Sequence, residues 1–304
     1  MKTGRRLLGG LLSVLALSAC QKKFDGQIAQ SNENASIIGG SPVEKQSYLA
    51  RSTVAIISAH MEGDKEVTAI CTGSLLPGNF VLTAAHCMDD FMVVVFDKAV
   101  SNTSVMLPVD HASVHPLWRT HQQNLQKLQL KEQSQQEITE EDINLISRNN
   151  GDIAIIHFSG QAPKEYVPAT LLRKASALQN GGEVILAGFG ITDGIAKSGE
   201  GTLLETKVQI ADAQFSETEV KLDQTLGKGA CHGDSGGPAY VKMGDRMFLW
   251  GITSRGVDDE QDTCGKFSAY TSVLPYTKWI VKTMKLMVLD LKEAAAQKQT
   301  VANN

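Results

Sequence analysis

The sequence predicts an all-β fold, on three observations. Between residue 37 and about residue 275 the apolar runs are short and bounded by turn residues. Many of their members are β-branched, and several alternate with polar neighbours at the period of a strand. Gly or Asp-Gly clusters separate them. The pattern fits a sandwich or a pair of barrels and not a βαβ protein, which would alternate strands with amphipathic helices.

In chain order, the first segment is a processing signal. Lys2, Arg5 and Arg6 precede an apolar run from Leu7 to Leu17, followed by "LSAC" ending at Cys20. A charged stretch, an apolar stretch and small residues at a cut site make an export signal, residues 1–19. Its ending resembles the bacterial lipobox, in which the Cys after the cut receives a lipid. That implies export from a bacterial cell, with the chain held at the envelope through Cys20 or secreted after a cut near Ser36. The five cysteines, at 20, 71, 87, 231 and 264, agree: with Cys20 lipidated, four remain for two disulfides in an oxidising compartment.

Residues 20–36 are polar, with the composition of a linker. "ASIIGGSP", from Ala35 to Pro42, opens the folded part and admits two readings. It is either a first strand entered through a Gly turn, or a chain end made by cleavage after Ser36. The strand candidates follow: "STVAIISA", "VTAICTGSLL", "NFVLTAA", "FMVVVF", "DIAIIHF", "EVILAGFG", "LLETKVQIA", "GPAYV", "MFLWGITS" and "SAYTSV". Two segments depart from this pattern. Residues 121–148 are rich in Gln, Glu and Lys, with Leu125, Leu128 and Leu130 near helical spacing, and predict a solvated helical insertion. Residues 275–298 predict a helix with Trp279, Ile280, Met284, Met287 and Leu291 on one packed face, and the last residues should fray.

Composition excludes some functions. At 304 residues and 42% hydrophobic, the chain has material for one or two domains with a substantial core. A formal charge of −4 leaves no basic footprint for nucleic acid. No apolar stretch past the N-terminus reaches bilayer-spanning length.

Three stretches carry the chemistry: "LTAAHC" at 82–87, "GDIAII" at 151–156 and "CHGDSGGP" at 231–238. A serine hydroxyl near neutral pH needs a base within hydrogen-bond reach, and that base needs an acceptor to fix its tautomer. Ser235, His86 and Asp152 supply those parts. Singly each is weak, since a His at a strand end is often packed and an Asp after Gly is often a turn residue.

Together, in the order His, Asp, Ser, these motifs resemble the chymotrypsin-like (trypsin-fold) serine endopeptidases over roughly residues 37–283. "AGFG" at 187–190 is similar to that family's Gly-Trp-Gly turn, with Phe for Trp. The resemblance implies two antiparallel six-stranded β-barrels with a C-terminal helix, and a peptidase domain over 37–283 followed by a helical extension and tail over 284–304. It pairs Cys71 with Cys87 and Cys231 with Cys264. It makes Ser235 the nucleophile, His86 the base and Asp152 its orienting acid, with the backbone N–H groups of Gly233 and Ser235 as the oxyanion hole.

The same resemblance puts Gly229 at the base of the specificity pocket, with Gly256 and Ser268 on its walls. None is acidic, so cleavage after Lys or Arg is not expected, and an uncharged side chain of medium to large size is. Arg255 stands where the family often has an aromatic residue, and the acidic loop "VDDEQDT" could reshape the rim. Asp234 implies a zymogen, because it would pair with an α-amino group freed at Ile37 by cleavage after Ser36. Since Ser36 is neither Lys nor Arg, no trypsin-like activator is indicated, and the same cut would sever a lipid anchor. No cofactor and no metal are expected: His111 and His115 are spaced i, i+4, but "VHP" belongs to a loop of the family. His232 would face substrate. The partners implied are protein or peptide substrates acted on by a monomer, with no nucleic acid, and a membrane only through the lipid on Cys20. The competing reading is a catalytically silent homologue that binds through the 121–148 insertion.

Overall fold

The computed structural model describes residues 37–196, 198–258, 261 and 263–302. The export signal, Cys20 and the propeptide lie outside the described residues, as do Asp259, Glu260 and Asp262 of the acidic loop. The described chain begins with β1 (Ser41–Pro42) and the short α1 (Tyr48–Ser52). The first set of strands is β2 (Thr53–Glu62), β3 (Lys65–Leu76), β4 (Phe80–Thr83), β5 (Phe91–Phe96), β6 (Val105–Val114) and β7 (Ala154–Phe158). These close antiparallel into a barrel of order β2-β3-β4-β7-β6-β5. The second set is β8 (Glu183–Gly188), β9 (Leu204–Asp212), β10 (Glu219–Asp223), β11 (Pro238–Met243), β12 (Arg246–Val257) and β13 (Phe267–Ser272). Because β8 pairs with both β9 and β11, this sheet closes into a second six-stranded barrel, and β1 is added along β9.

The apolar runs are explained by where each face goes. On β2, Val54 and Ile56 pack into a cluster with Val81, Val94, Phe96, Ile156 and Phe158. The alternate residues Ala55 and Ile57 join a different cluster that crosses to Ala187, Phe189, Tyr240, Leu249 and Ile252 of the second barrel. A strand buried on both faces reads as continuous apolar sequence, with little alternation. The second barrel is filled by Val184, Leu186, Leu204, Trp250 and Tyr270, and Ile37 belongs to this cluster.

The helical insertion is a hairpin that starts five residues earlier than the composition predicts. Helix α2 spans Pro116–Gln133, because His115 caps it and Pro116 occupies its first turn. Helix α3 spans Glu140–Ser147 behind a capping box of Thr139 and Asp142. Lys131 Nζ donates to both Asp142 oxygens at 2.7 Å, tying the two helices together. The C-terminal helix α4 (Thr277–Ala302) runs unbroken past residue 283. It docks through buried Ile280 and Met287, with Trp279 and Tyr276 packed edge-on against the His115 ring.

Candidate active site

His86 and Asp152 come together because their strands are paired. His86 lies in the 3-10 turn Ala85–Cys87 just after β4, Asp152 lies two residues before β7, and Thr83 of β4 faces Ala154 of β7. Gly151 makes room for this: a Cβ there would sit 2.5 Å from Leu117 Cβ and 3.0 Å from Trp118 N, at the start of α2. The insertion is thereby laid against the aspartate, with the Trp118 ring centroid 6.4 Å from that of His86.

The Asp152 side chain is 2% exposed. Its Oδ2 accepts from His86 Nδ1 at 2.7 Å and from Ser254 Oγ at 2.7 Å, and its Oδ1 accepts from the His86 backbone N–H at 3.0 Å. A carboxylate can only accept, so Nδ1 carries the proton and Nε2 is left as the basic nitrogen. Burial opposes ionisation of Asp152, but the His86 charge and these hydrogen bonds outweigh it and hold its pKa below the usual value. Burial likewise opposes protonation of His86, and the charge and hydrogen bond of Asp152 overcome it and raise its pKa.

Ser235 sits on a turn bolted to both barrels. Its carbonyl accepts from Thr72 N–H at 2.8 Å, Thr72 Oγ1 donates to Gly233 O at 2.9 Å, and Gly236 N–H donates to Thr253 O at 2.9 Å. Gly233 and Gly236 have φ of 91° and 79°, and a Cβ on Gly236 would lie 2.0 Å from Thr83 Oγ1. Only glycine fits that position. Disulfides join Cys71 to Cys87 and Cys231 to Cys264, bracing the His86 turn and the Ser235 loop.

Beside Ser235 opens a cavity of about 320 Å³. Gly256 and Ser268 line it, as do His232 and Arg255, and no described lining residue carries a carboxylate. Gly229 is not among the described lining residues. Its backbone pairs with Ile38, N–H to O at 3.0 Å in both directions, and the Gln224 side chain covers it. The Arg255 guanidinium is engaged by an ion pair with the buried Glu219 and by donation to Ser147 O at the end of α3.

Asp234 is 1% exposed, wedged against Gly188 and Gly190 of "AGFG". Its oxygens accept from Gly190 N–H and Cys231 N–H, both at 2.8 Å. Burial pushes its pKa up to about 7, beyond what these two bonds can offset. Ile37 is 1% exposed and has a φ of 64°. It shares a core cluster with Ala230 and with Tyr270, whose hydroxyl feels the charge of Asp234.

His115 accepts from Leu117 N–H as the cap of α2. His111 lies with Asp110 and His157, their ligand atoms within 4.8 Å of one another. Asp110 Oδ1 accepts from both ring Nδ1 atoms, at 3.0 and 2.6 Å. Three residues of the site escape a reading of the sequence: Ser254, Gln224 and Trp118. Ser254 had a signal, as a polar residue ending the apolar run "MFLWGITS". Gln224 and Trp118 had none.

A family model described as Trypsin matches residues 37–280. Granzyme C of Mus musculus is 28% identical over 268 residues, covering 82% of this chain and 91% of its own length. Chymotrypsin-like elastase family member 1 of Macaca fascicularis is 25% identical over 270 residues, covering 83% and 90%. Among solved structures, neuropsin, a serine protease expressed in the limbic system of mouse brain, aligns with a TM-score of 0.58 at 23% identity, over 82% of this chain and all of its own. That last likeness is one of fold.

Proposed function

The chain belongs to the trypsin family, and from that premise we propose that it is a serine endopeptidase working through an acyl-enzyme. The observation that carries this is the buried Asp152 carboxylate bonded to His86 Nδ1, with Ser235 on the wall of the adjoining cavity. Ser235 Oγ attacks the scissile carbonyl while His86 Nε2 takes its proton. The oxyanion is met by the backbone N–H groups of Gly233 and Ser235. His86 then protonates the leaving amine, and water, deprotonated by the same nitrogen, releases the acid.

The pocket reading is non-tryptic. A Lys or Arg side chain would enter a cavity without a carboxylate among its described lining residues. The zymogen reading is supported by Asp234: a carboxylate this buried, met among the described residues by the backbone N–H groups of Gly190 and Cys231, would gain a cation when Ile37 becomes a chain end. We further propose residues 1–19 as export signal, Cys20 as a lipid site of a bacterial lipoprotein, 20–36 as propeptide, and 37–283 as peptidase domain with a helical extension. One cut after Ser36 then activates the enzyme and frees it from the envelope.

The test is labelling with a fluorophosphonate, followed by N-terminal sequencing of the labelled species. Labelling lost in Ser235→Ala, on a chain beginning at Ile37, is expected. A processed chain that does not label returns the protein to the silent-homologue reading.

A further inference from the structure

We infer that Gln224 is the floor of the specificity pocket, cutting it short so that the enzyme accepts a small to medium apolar side chain before the scissile bond. This rests on the peptidase reading above and sharpens its substrate class. Gln224 follows the end of β10 and is 1% exposed, yet it lines the cavity beside Ser235. Its amide is held on every side. Oε1 accepts from Ala230 N–H at 2.8 Å and from Ser268 Oγ at 2.7 Å, while Nε2 donates to Ala230 O at 3.1 Å and to Cys264 O at 2.8 Å.

A carboxamide has two acceptor sites and two N–H donors, so these four bonds use its full capacity. The group is locked in one orientation and offers a substrate no polar partner. It also occupies the space that a glycine at 229 would otherwise leave open. A Cβ on Gly229 would lie 2.2 Å from Gln224 Cδ and 2.4 Å from Cγ. The depth of the pocket is therefore set from the β10 side, not by residue 229. The walls at Gly256 and Ser268 give width, and the saturated amide closes the bottom with a flat surface that has nothing to give a charged or hydrogen-bonding tip.

The experiment compares kcat/KM for peptides differing only in the residue before the cut, with active enzyme counted by fluorophosphonate titration. Wild type should favour Ala, Val or Leu over Phe and Tyr. Gln224→Ala should raise the Phe-to-Leu ratio by about tenfold or more, in line with the worth of one or two methylenes of pocket space. Gln224→Met, similar in length but without the amide, should keep the wild-type ratio. A ratio unmoved in titratable Gln224→Ala would overturn the inference. So would a wild-type preference for Phe or Tyr, which stands as evidence even if Gln224→Ala fails to fold. Wild type that never labels sinks the peptidase reading itself, and the floor with it.

Discussion

Asp152 shows how much a single side chain is asked to hold. Its three donors come from two barrels, and the bond from Ser254 is the one that secures it from the second. Ser254→Ala should leave a buried acceptor short of a partner and lower stability by about 1–3 kcal/mol. Chemical denaturation in a Ser235→Ala background checks it. The pH dependence follows from His86, which must be neutral to take a proton and whose pKa lies above its ordinary 6.5. Log kcat/KM should therefore fall with decreasing pH from a point above 6.5. In Asp152→Asn that limb should move to lower pH, with a rate loss of about 10²- to 10⁴-fold. The residues of the proposed triad stand out in the sequence because each sits in a local motif whose glycines and small residues are needed for space. Ser254 and Gln224 do not, since their partners lie 102 and up to 44 positions away in sequence.

Among the elements, the insertion hairpin is tied to the second barrel through Arg255. Arg255 reaches from β12 to Glu219 on β10 and to Ser147 at the end of α3. Glu219 Oε2 also accepts from Asn149 N–H at 3.1 Å. Arg255→Ala should strand a buried carboxylate and cost about 3 kcal/mol. Arg255→Lys should recover only part, because a single ammonium cannot span Glu219 and Ser147 as the guanidinium fork does. Thermal melting of both variants measures the difference. The sequence announced a helical insertion through its Gln- and Glu-rich composition and Leu spacing. Its start was misjudged because His115 is an unusual cap, and only the folded chain shows its ring accepting from Leu117. The role of Arg255 was equally hidden. Its position was visible as a departure from the family, but its partners come from a strand and a helix that meet only in the fold.

For the molecule as a whole, short β-branched runs made the all-β class legible. The closure of two barrels came only through the family resemblance, because pairings such as β4 with β7 join segments some seventy residues apart. The uncut chain should carry a pH-dependent weakness at Asp234. Its folded pKa of about 7 lies above the ordinary 3.8, so its contribution is fullest below pH 3.8 and is lost as pH rises toward 7, by roughly 4 kcal/mol. Uncut Ser235→Ala protein should therefore lose more stability between pH 5 and pH 8 than uncut Ser235→Ala/Asp234→Asn, as read by thermal melting at each pH. Ile37 adds a second consequence. A β-branched residue at φ of 64° is held in the left-handed region, at a cost of about 1–2 kcal/mol. Hydrolysis of the bond to Ser36 leaves Ile37 with no φ torsion to hold. Resealing the bond would have to restore it, so the proposed processing step behaves as a ratchet whose pawl is one isoleucine.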